Sequence, residues 1–327
     1  MTGEQMATKR RAGSMELLLV ALIGLALSGS LITGVLADHD RLATAATVFC
    51  GVFVQALPFL VLGVIVSGLV AAFVTPERLE RWLPSNPVLA VAAAGVGGAA
   101  LPGCECGSVP VARRLFSGAT AGAALTFMLS APAINPVVLV ATAVAFPGQP
   151  QMVLARCVAS LATAVVMGLL WQRWGRTAWV TRTLPVHHDH DAPRFAVFTE
   201  AARHDFLQSA SYLVLGAGAA AVLRSAVPQW VFGHIAGNLV VGVIVMALLA
   251  VVLALCSEAD AFVAASLTMI PLLPRLVFLV VGPAVDVKLF AMQTGIFGRA
   301  FAMRFAPVTL VVATACATIV GLVVLGT

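Results

Sequence analysis

Two cysteines flank a glutamate in the segment Pro102-Gly103-Cys104-Glu105-Cys106-Gly107. Thiolates spaced in this way can hold a soft centre such as trivalent arsenic, monovalent copper or zinc. An ionisable residue at the end of an apolar stretch is costly unless it has a function, which makes Glu105 a candidate for proton coupling. We therefore interpret Cys104 and Cys106 as contacts for a substrate or ligands for a metal ion.

A second group of thiol and carboxylate residues lies 152 residues farther along the chain. Cys256 corresponds to Cys104 at this spacing, and Glu258 and Asp260 follow it. If the two segments meet in the fold, Cys256 completes a pocket of three thiols flanked by carboxylates. Glu258 and Asp260 are then further candidates for proton coupling, because an apolar environment favours the neutral form of a carboxylate. Alternatively, they face cytoplasmic water at the end of an apolar helix.

Two polar residues, Asn135 and Asp286, each follow a Pro-Ala-aliphatic triplet. Asn and Asp are preferred N-caps of helices, so the simplest interpretation is a cap on a broken helix. Half-helix N-termini near the middle of the bilayer are also where transporters bind substrates, and both residues are therefore candidates for substrate binding. Lys288, two residues after Asp286, is expected to pair with it or with an anionic group.

The composition indicates which elements must position these residues. The chain has 327 residues, of which 61% are hydrophobic and 10% are charged. A soluble domain is nearer half apolar and a quarter charged. Several apolar runs reach the length of about 20 residues that a membrane-crossing helix needs. They are continuous rather than alternating with period two, which excludes a lipid-facing barrel. The sequence predicts an all-α polytopic membrane protein with about 8–10 membrane segments.

The chain contains two similar halves. Gln55–Gly63 resembles Gln208–Gly216, and Pro132–Asn135 resembles Pro283–Asp286, with offsets of 153 and 151 residues. Equivalent helices in the two halves are expected to cross the membrane in opposite directions. The sequence therefore predicts inverted repeats, an organisation typical of secondary transporters.

Two apolar stretches, 104–147 and 256–299, are interrupted by prolines. Non-helical backbone at membrane depth is tolerated only where protein or a water-filled cavity satisfies its polar groups. Broken or re-entrant helices in these stretches therefore point to a site inside the protein.

Charge in the loops predicts the topology. Basic residues precede the first apolar run, 15–37, and recur in the linker, so the N-terminus and the linker are expected to be cytoplasmic. Arg113 and Arg114 fit poorly, because this count puts them in the outer half or at a hairpin tip. The run His187–Asp191 resembles a metal-attracting tract, although a solvated linker explains it more simply. The predicted division is 1–43 for the tail and first helix, 44–174 for repeat 1, 175–204 for the linker and 205–327 for repeat 2.

The segments Leu101–Pro110 and Phe127–Pro136 carry a resemblance to a known family. The combination of C-x-C with a downstream Ser-Ala-Pro-Ala-Ile-Asn-Pro resembles the bacterial predicted permeases of the YraQ type, which include the ArsP-like organoarsenical efflux permeases. The resemblance covers residues 45–326. It implies an inner-membrane permease, with trivalent organoarsenicals as the substrate of the better-understood branch, and it points to Cys104 and Cys106.

These observations predict a secondary transporter that exports a soft, thiol-reactive solute. One alternative is a permease for a sulfur- or oxyanion-type solute, which Lys288 and helix N-termini would bind. A second is a membrane thiol–disulfide protein that uses Cys104 and Cys106 as a redox pair. No G-x-x-x-x-G-K-[ST] motif is present, so we expect no direct ATP hydrolysis. The primary prediction is a transporter and not an enzyme. The expected partners are the lipid bilayer, a small-molecule or metal-like solute and a second copy of the chain, with no cofactor and no nucleic acid.

Overall fold

The computed structural model describes residues 40–326 except for 74–83, 85, 100–104, 117–119, 181–193 and 227–237. All regular structure in the described residues is helical. The predicted first membrane helix, Cys104 and the run His187–Asp191 lie outside the described residues. Cys106 lies on a described helix, but its side chain is outside the description.

The first half of the chain contains six α-helices in the described residues. They are α1 (Asp40–Phe73), α2 (Pro87–Gly98), α3 (Glu105–Leu115), α4 (Ala121–Ile134), α5 (Pro136–Ala145) and α6 (Pro150–Trp174). Six more follow in the second half: α7 (Arg194–Ala226), α8 (Leu239–Leu253), α9 (Ser257–Ser266), α10 (Leu272–Ala284), α11 (Val287–Ile296) and α12 (Arg299–Val324). A short 3-10 turn, Thr177–Trp179, follows α6.

The helices of the second half repeat the order of the first. Each begins 149 to 154 residues after its counterpart. The caps correspond as well: the side chain of Asn86 accepts a hydrogen bond from the N–H of Val88 at the start of α2, and that of Asn238 accepts from Val240 at the start of α8. The similarity between the two halves therefore extends beyond the two sequence matches to the whole helix order.

Four helical stretches are long and apolar enough to cross a membrane. They are Ala121–Ala145, Pro150–Trp174, Leu272–Ile296 and Arg299–Val324. Two of them are the broken helices α4–α5 and α10–α11, each interrupted at one point. These four stretches, together with the helical regular structure of the described residues, confirm the prediction of an all-α polytopic membrane protein.

Four other helices are too short to cross a bilayer alone. Helices α2, α3, α8 and α9 have 12, 11, 15 and 10 residues. At 1.5 Å per residue they reach about 15–23 Å, less than the roughly 30 Å of a hydrocarbon core. The pairs α2–α3 and α8–α9 therefore have the dimensions of re-entrant hairpins. Only their second helices, α3 and α9, lie in the proline-interrupted stretches 104–147 and 256–299; the rest of each stretch forms a broken helix of membrane-crossing length.

The two halves pack through equivalent elements. Helix α1 packs on α7, α4 on α10 and α6 on α12. In addition, α3 packs on α11 and α9 packs on α5. Each hairpin thus contacts the second part of the broken helix in the other half, and the hairpins and helix breaks come together in the centre of the molecule.

Helix α7 begins at Arg194, within the segment 175–204 that the sequence predicts to be linker. Its first turns combine apolar residues, such as the exposed Phe195, with charged ones, and Arg203 donates two hydrogen bonds to Glu200 on the same helix face. Hydropathy marks only the part of a helix that lies in lipid, and a charged extension with local pairs continues the helix beyond it.

The contact between α1 and α3 is a contact between backbones. A Cβ atom placed on Gly63 would lie 2.2 Å from the Cα atom of Gly107 and 2.6 Å from its carbonyl oxygen. Small residues of this kind let membrane helices approach closely. Since the atoms in the way belong to the main chain, no side chain can rotate to make room.

We expect Gly63→Ala to destabilise the protein, because the methyl group must push α1 away from α3. Overpacking costs about 1–3 kcal/mol, which exceeds the gain of about 1 kcal/mol that alanine brings to a helix. The matched control is Gly51→Ala in the same helix, where nothing lies within 4 Å of the added Cβ. Melting temperatures in detergent should fall for Gly63→Ala only. An equal response of both variants would contradict the close contact.

Candidate functional site

The tips of the two hairpins meet at a hydrogen bond between equivalent residues. The hydroxyl of Ser257, the first residue of α9, donates to Oε1 of Glu105, the first residue of α3, over 3.3 Å. The two residues are 152 positions apart, which is the repeat offset, and both are fully buried. The structure therefore brings the first thiol-and-carboxylate segment against the second at this point.

A buried lysine lies beside the same glutamate. Lys288 Nζ is 3.4 Å from Glu105 Oε2 and 3.7 Å from Asp286 Oδ2. Asp286 also accepts a hydrogen bond from the N–H of Leu289 and so caps α11, as its sequence predicts. Because α11 begins at the helix break, this cap holds Lys288 in the first turn, facing the tip of α3. Two carboxylates share one cation in an environment without water-exposed surface.

A second buried cation, Arg156, joins three helices. From α6, its guanidinium donates to the hydroxyl of Thr142 on α5 and to the carbonyl of Ser257 on α9, both over 2.8 Å. No sequence motif assigns a function to Arg156. Its position in the sequence could have indicated its importance, because Arg156 is the seventh residue of a largely apolar helix. Ionisable residues within membrane segments are rare and generally have partners or functions.

Two further carboxylates on α9 have no hydrogen-bond partner among the described residues. Asp260 is 1% exposed and its Oδ2 is unpartnered, as are both carboxylate oxygens of Glu258. The Oδ2 atom of Asp260 lies against α10, only 2.7 Å from the position of a Cβ on Gly282. The alternative that these groups face cytoplasmic water is therefore wrong for Asp260, which the packing of α10 covers.

Asn135 caps the broken helix of the first half. Its side chain accepts from the N–H of Val138 and donates to the carbonyl of Ala131, which joins the two parts of the break. Asn135 and Asp286 thus take the same structural role in the two halves. The further prediction that they bind substrate stays a prediction.

The thiols are described only in part. Cys256 is buried and directly precedes Ser257, at the N-cap position of α9. Cys104 and the side chain of Cys106 lie outside the described residues, next to Glu105 in the chain. In the part of the chain that the structure describes, no three His, Cys, Asp or Glu side chains are grouped as metal ligands. The metal site predicted at Cys104 and Cys106 stays a prediction.

A second polar centre lies at the far end of α3. Arg114 donates to both carboxylate oxygens of Asp205 on α7, over 2.9 and 3.1 Å, and the hydroxyl of Ser67 on α1 donates to Oδ2 over 2.6 Å. This arrangement accounts for Arg114, which the sequence-based topology fits poorly. Its charge is balanced by Asp205, which lies three turns into α7. The sequence does not reveal this pair, because its members are 91 residues apart and no motif connects them.

Comparison with known proteins decides the family. The model of a family described as a predicted permease matches residues 41–322. The chain belongs to the ArsP-type family of predicted permeases.

Two curated relatives agree with this membership. A protein of Streptococcus mutans serotype c named as a two-component membrane permease complex subunit is 31% identical over 266 residues, which cover 79% of the permease and 88% of that protein. UPF0718 protein YcgR of Bacillus subtilis strain 168 is 34% identical over 264 residues, which cover 78% and 89%. No solved structure matches. The permease is thus a multi-pass membrane protein of a transport family, which confirms the predicted family and favours a transporter over an enzyme.

The charge cluster at the hairpin tips yields a first prediction. Lys288→Met should lower the melting temperature strongly, because it leaves Glu105 and Asp286 facing each other without their cation. Removal of one partner from a buried pair costs about 3–5 kcal/mol. Glu105→Gln combined with Lys288→Met should cost less than the sum of the two single changes. Thermal unfolding of the four proteins in detergent measures this coupling, and strict additivity would contradict the ion pair.

The second polar centre yields another. Asp205→Asn should destabilise the permease by about 3 kcal/mol, since it leaves the Arg114 guanidinium without its buried counter-charge. The matched control is Glu200→Gln on the same helix, whose exposed pair with Arg203 should contribute about 0–1 kcal/mol. Unfolding curves that shift equally for both variants would show that Asp205 does not hold α1, α3 and α7 together.

Proposed function

We propose that the permease is a secondary transporter that exports a soft, thiol-reactive solute, such as a trivalent organoarsenical, through the centre where the hairpin tips meet. The observation that carries this proposal is the hydrogen bond from Ser257 to Glu105. Cys104 and Cys106 are the chain neighbours of Glu105, and Cys256 is the chain neighbour of Ser257. The contact therefore supports a three-thiol pocket built from both halves.

The surroundings of this contact also support a transport site. Re-entrant hairpins and helix breaks from inverted repeats meet at the substrate site in many secondary transporters. Here four carboxylates and two cations from both halves surround the meeting point: Glu105, Glu258, Asp260, Asp286, Arg156 and Lys288. Charged groups at membrane depth are expensive and mark ion or substrate pathways.

The proposed roles follow from these positions. Cys104, Cys106 and Cys256 contact the solute through sulfur, which suits trivalent arsenic and other soft centres. Asn135 and Asp286 organise the helix breaks beside it and line the pathway. Glu105, Glu258 and Asp260 are the carboxylates available for coupling to protons. The inner membrane is the proposed location, with the N-terminus and the linker in the cytoplasm.

Lys288 bears on the alternative of an oxyanion permease. Its ammonium group already has Glu105 and Asp286 as counter-charges within 3.7 Å. An anion would have to displace a carboxylate to use it, and this disfavours the oxyanion alternative relative to a thiol-reactive solute. For the thiol–disulfide alternative, the test is turnover of a disulfide substrate by the purified protein.

Assembly is a separate part of the proposal. The name of the Streptococcus mutans relative includes a two-component complex. We propose that this permease also works in an assembly, either with a second membrane subunit or with another copy of itself. Cross-linking of the tagged permease in native membranes distinguishes the two, because only a hetero-assembly yields a band of a different protein.

The thiol pocket is tested by resistance of an arsenical-sensitive bacterial host to methylated trivalent arsenic. Cys104→Ser and Cys106→Ser should each abolish resistance while the membrane level of the protein stays unchanged, because serine oxygen is a poor ligand for a soft centre. Cys256→Ser should reduce it. The controls are Cys157→Ser and Cys316→Ser, whose thiols lie half-buried on α6 and α12.

The outcomes separate the candidates. Unchanged resistance in Cys104→Ser and Cys106→Ser would overturn the thiol pocket. A panel with arsenite, antimonite, copper and zinc then defines the solute class. Uptake into everted vesicles, competed with sulfur and oxyanion solutes, measures the alternative substrate class directly.

A further inference from the structure

The carboxylates at the centre differ in what they contact. Glu105 accepts from Ser257 and pairs with Lys288, and Asp286 accepts from Leu289 and also faces Lys288. The Oδ2 atom of Asp260 has no hydrogen-bond partner among the described residues, although the side chain is 1% exposed. Both carboxylate oxygens of Glu258 also lack a partner there, but that residue is only partly buried. A buried carboxylate oxygen without a donor is costly unless something neutralises it. Asp260 therefore needs a bound cation or proton, because no hydrogen-bond donor among the described residues reaches its Oδ2 atom.

The limited space beside the carboxylate of Asp260 distinguishes between a metal ion and a proton as the bound group. The Oδ2 atom lies 2.7 Å from the position that a Cβ on Gly282 would occupy, so the backbone of α10 closes off that side of the carboxylate. A metal cation needs several oxygen ligands at distances of about 2.0–2.6 Å. A proton needs no coordination shell, because it forms a single O–H bond. The close contact with Gly282 thus favours a proton over a metal ion.

Charges from every neighbouring element act on this carboxylate. Arg156 on α6, Glu105 on α3, and Lys288 and Asp286 on α11 interact with Asp260 electrostatically. Glu258 lies on the same helix. Helix α5, which packs on α9, contains no titratable residue, and α10 contributes Arg275, whose guanidinium donates to the carbonyls of Thr268 and Ile270. In this cluster four carboxylates face two cations, and one bound proton reduces the excess negative charge.

The position of Asp260 connects protonation to the helix break. Gly282 immediately precedes Pro283, and α10 ends at Ala284, just before the break that Asp286 caps. A shift of the broken helix changes the surface that covers Asp260 and can expose the carboxylate to water. Protonation and movement of α10–α11 are therefore coupled through one contact.

We propose that Asp260 is the group that carries the coupling proton of this permease. In one conformation a proton from water bonds to Oδ2 and makes the side chain neutral; in the other this O–H bond breaks and the proton returns to water on the opposite side. No electrons are transferred, and the solute is not modified. This inference rests on the proposed function as a gradient-driven transporter and narrows its three candidate carboxylates to one.

The first test needs no solute. Infrared spectroscopy of the purified permease in liposomes at neutral pH should detect the carbonyl band of a neutral carboxylic acid. Asp260→Asn should remove this band, while Glu258→Gln should keep it. Loss of the band in Glu258→Gln only, or no such band in the wild type, would overturn the assignment. Asparagine resembles a protonated aspartate in shape, so this variant is expected to fold; elution as a single peak on size exclusion checks it.

The second test measures coupling with methylated trivalent arsenic as the probe, in proteoliposomes that contain a pH-sensitive dye. The wild type should move protons when the probe is added, and a pH gradient should drive probe accumulation. In Asp260→Asn, both the proton movement and the accumulation driven by the pH gradient should fall at least tenfold. The variant should still exchange labelled for unlabelled probe across the membrane. Accumulation driven by a sodium gradient, or proton movement retained in Asp260→Asn, would overturn the proposal.

The contact between Gly282 and Asp260 can be tested by a matched pair of variants. Gly282→Ala keeps the carboxylate but presses a methyl group against it, and should shift the pH at which the infrared band titrates; Gly97→Ala, with nothing within 4 Å of its added Cβ, should not. No shift in Gly282→Ala would contradict the contact on which the proposal depends. If the wild type moves no arsenical, the proposed solute is wrong, and the infrared band still decides the role of Asp260.

Discussion

The structure depends on one constraint: backbone groups at membrane depth must find hydrogen-bond partners within the protein. Two membrane-crossing helices are broken and two hairpins end near the centre, so many N–H and C=O groups lose their helical partners. Side chains supply replacements. Asn135 and Asp286 accept from free N–H groups in the first turns of α5 and α11, and Arg156 donates to the carbonyl of Ser257. Ser108 lies within hydrogen-bond distance of the carbonyls of Glu105 and Met128.

The polar side chains that pair with these backbone groups also make the interior of the protein charged. Asp286 is placed at a cap, and Lys288 follows it in the first turn, where Glu105 provides a counter-charge from the other half. Arg156 likewise joins elements of both halves through Thr142 and Ser257. The two halves are therefore held together at the centre by hydrogen bonds and ion pairs rather than by apolar packing alone. Such directional contacts define discrete arrangements, which suits the change of conformation that the proposed transport cycle requires.

The sequence predicts the parts of this structure that are local or periodic. The prolines and the residues Asn135 and Asp286 mark the helix breaks, and the repeat offset pairs the two hairpin tips correctly. Contacts such as Arg156 with Ser257 and Arg114 with Asp205 could not be predicted, because they join helices far apart in the chain and depend on how those helices pack. The start of α7 at Arg194 was missed for a different reason, since hydropathy does not register a charged helical extension.

The longest helices have a mechanical consequence. Helix α1 has 34 residues and α7 has 33, which correspond to about 50 Å each, and the two pack together. A hydrocarbon core of about 30 Å accommodates such lengths only if the helices tilt or extend into water, and the tilt depends on bilayer thickness. The backbones of α1 and α3 are in contact at Gly63 and Gly107. A change in the tilt of α1 is therefore transmitted directly to the start of α3, where Glu105 lies. A change in the thickness of the surrounding membrane therefore exerts a force on the charged residues at the centre, through the contact between α1 and α3.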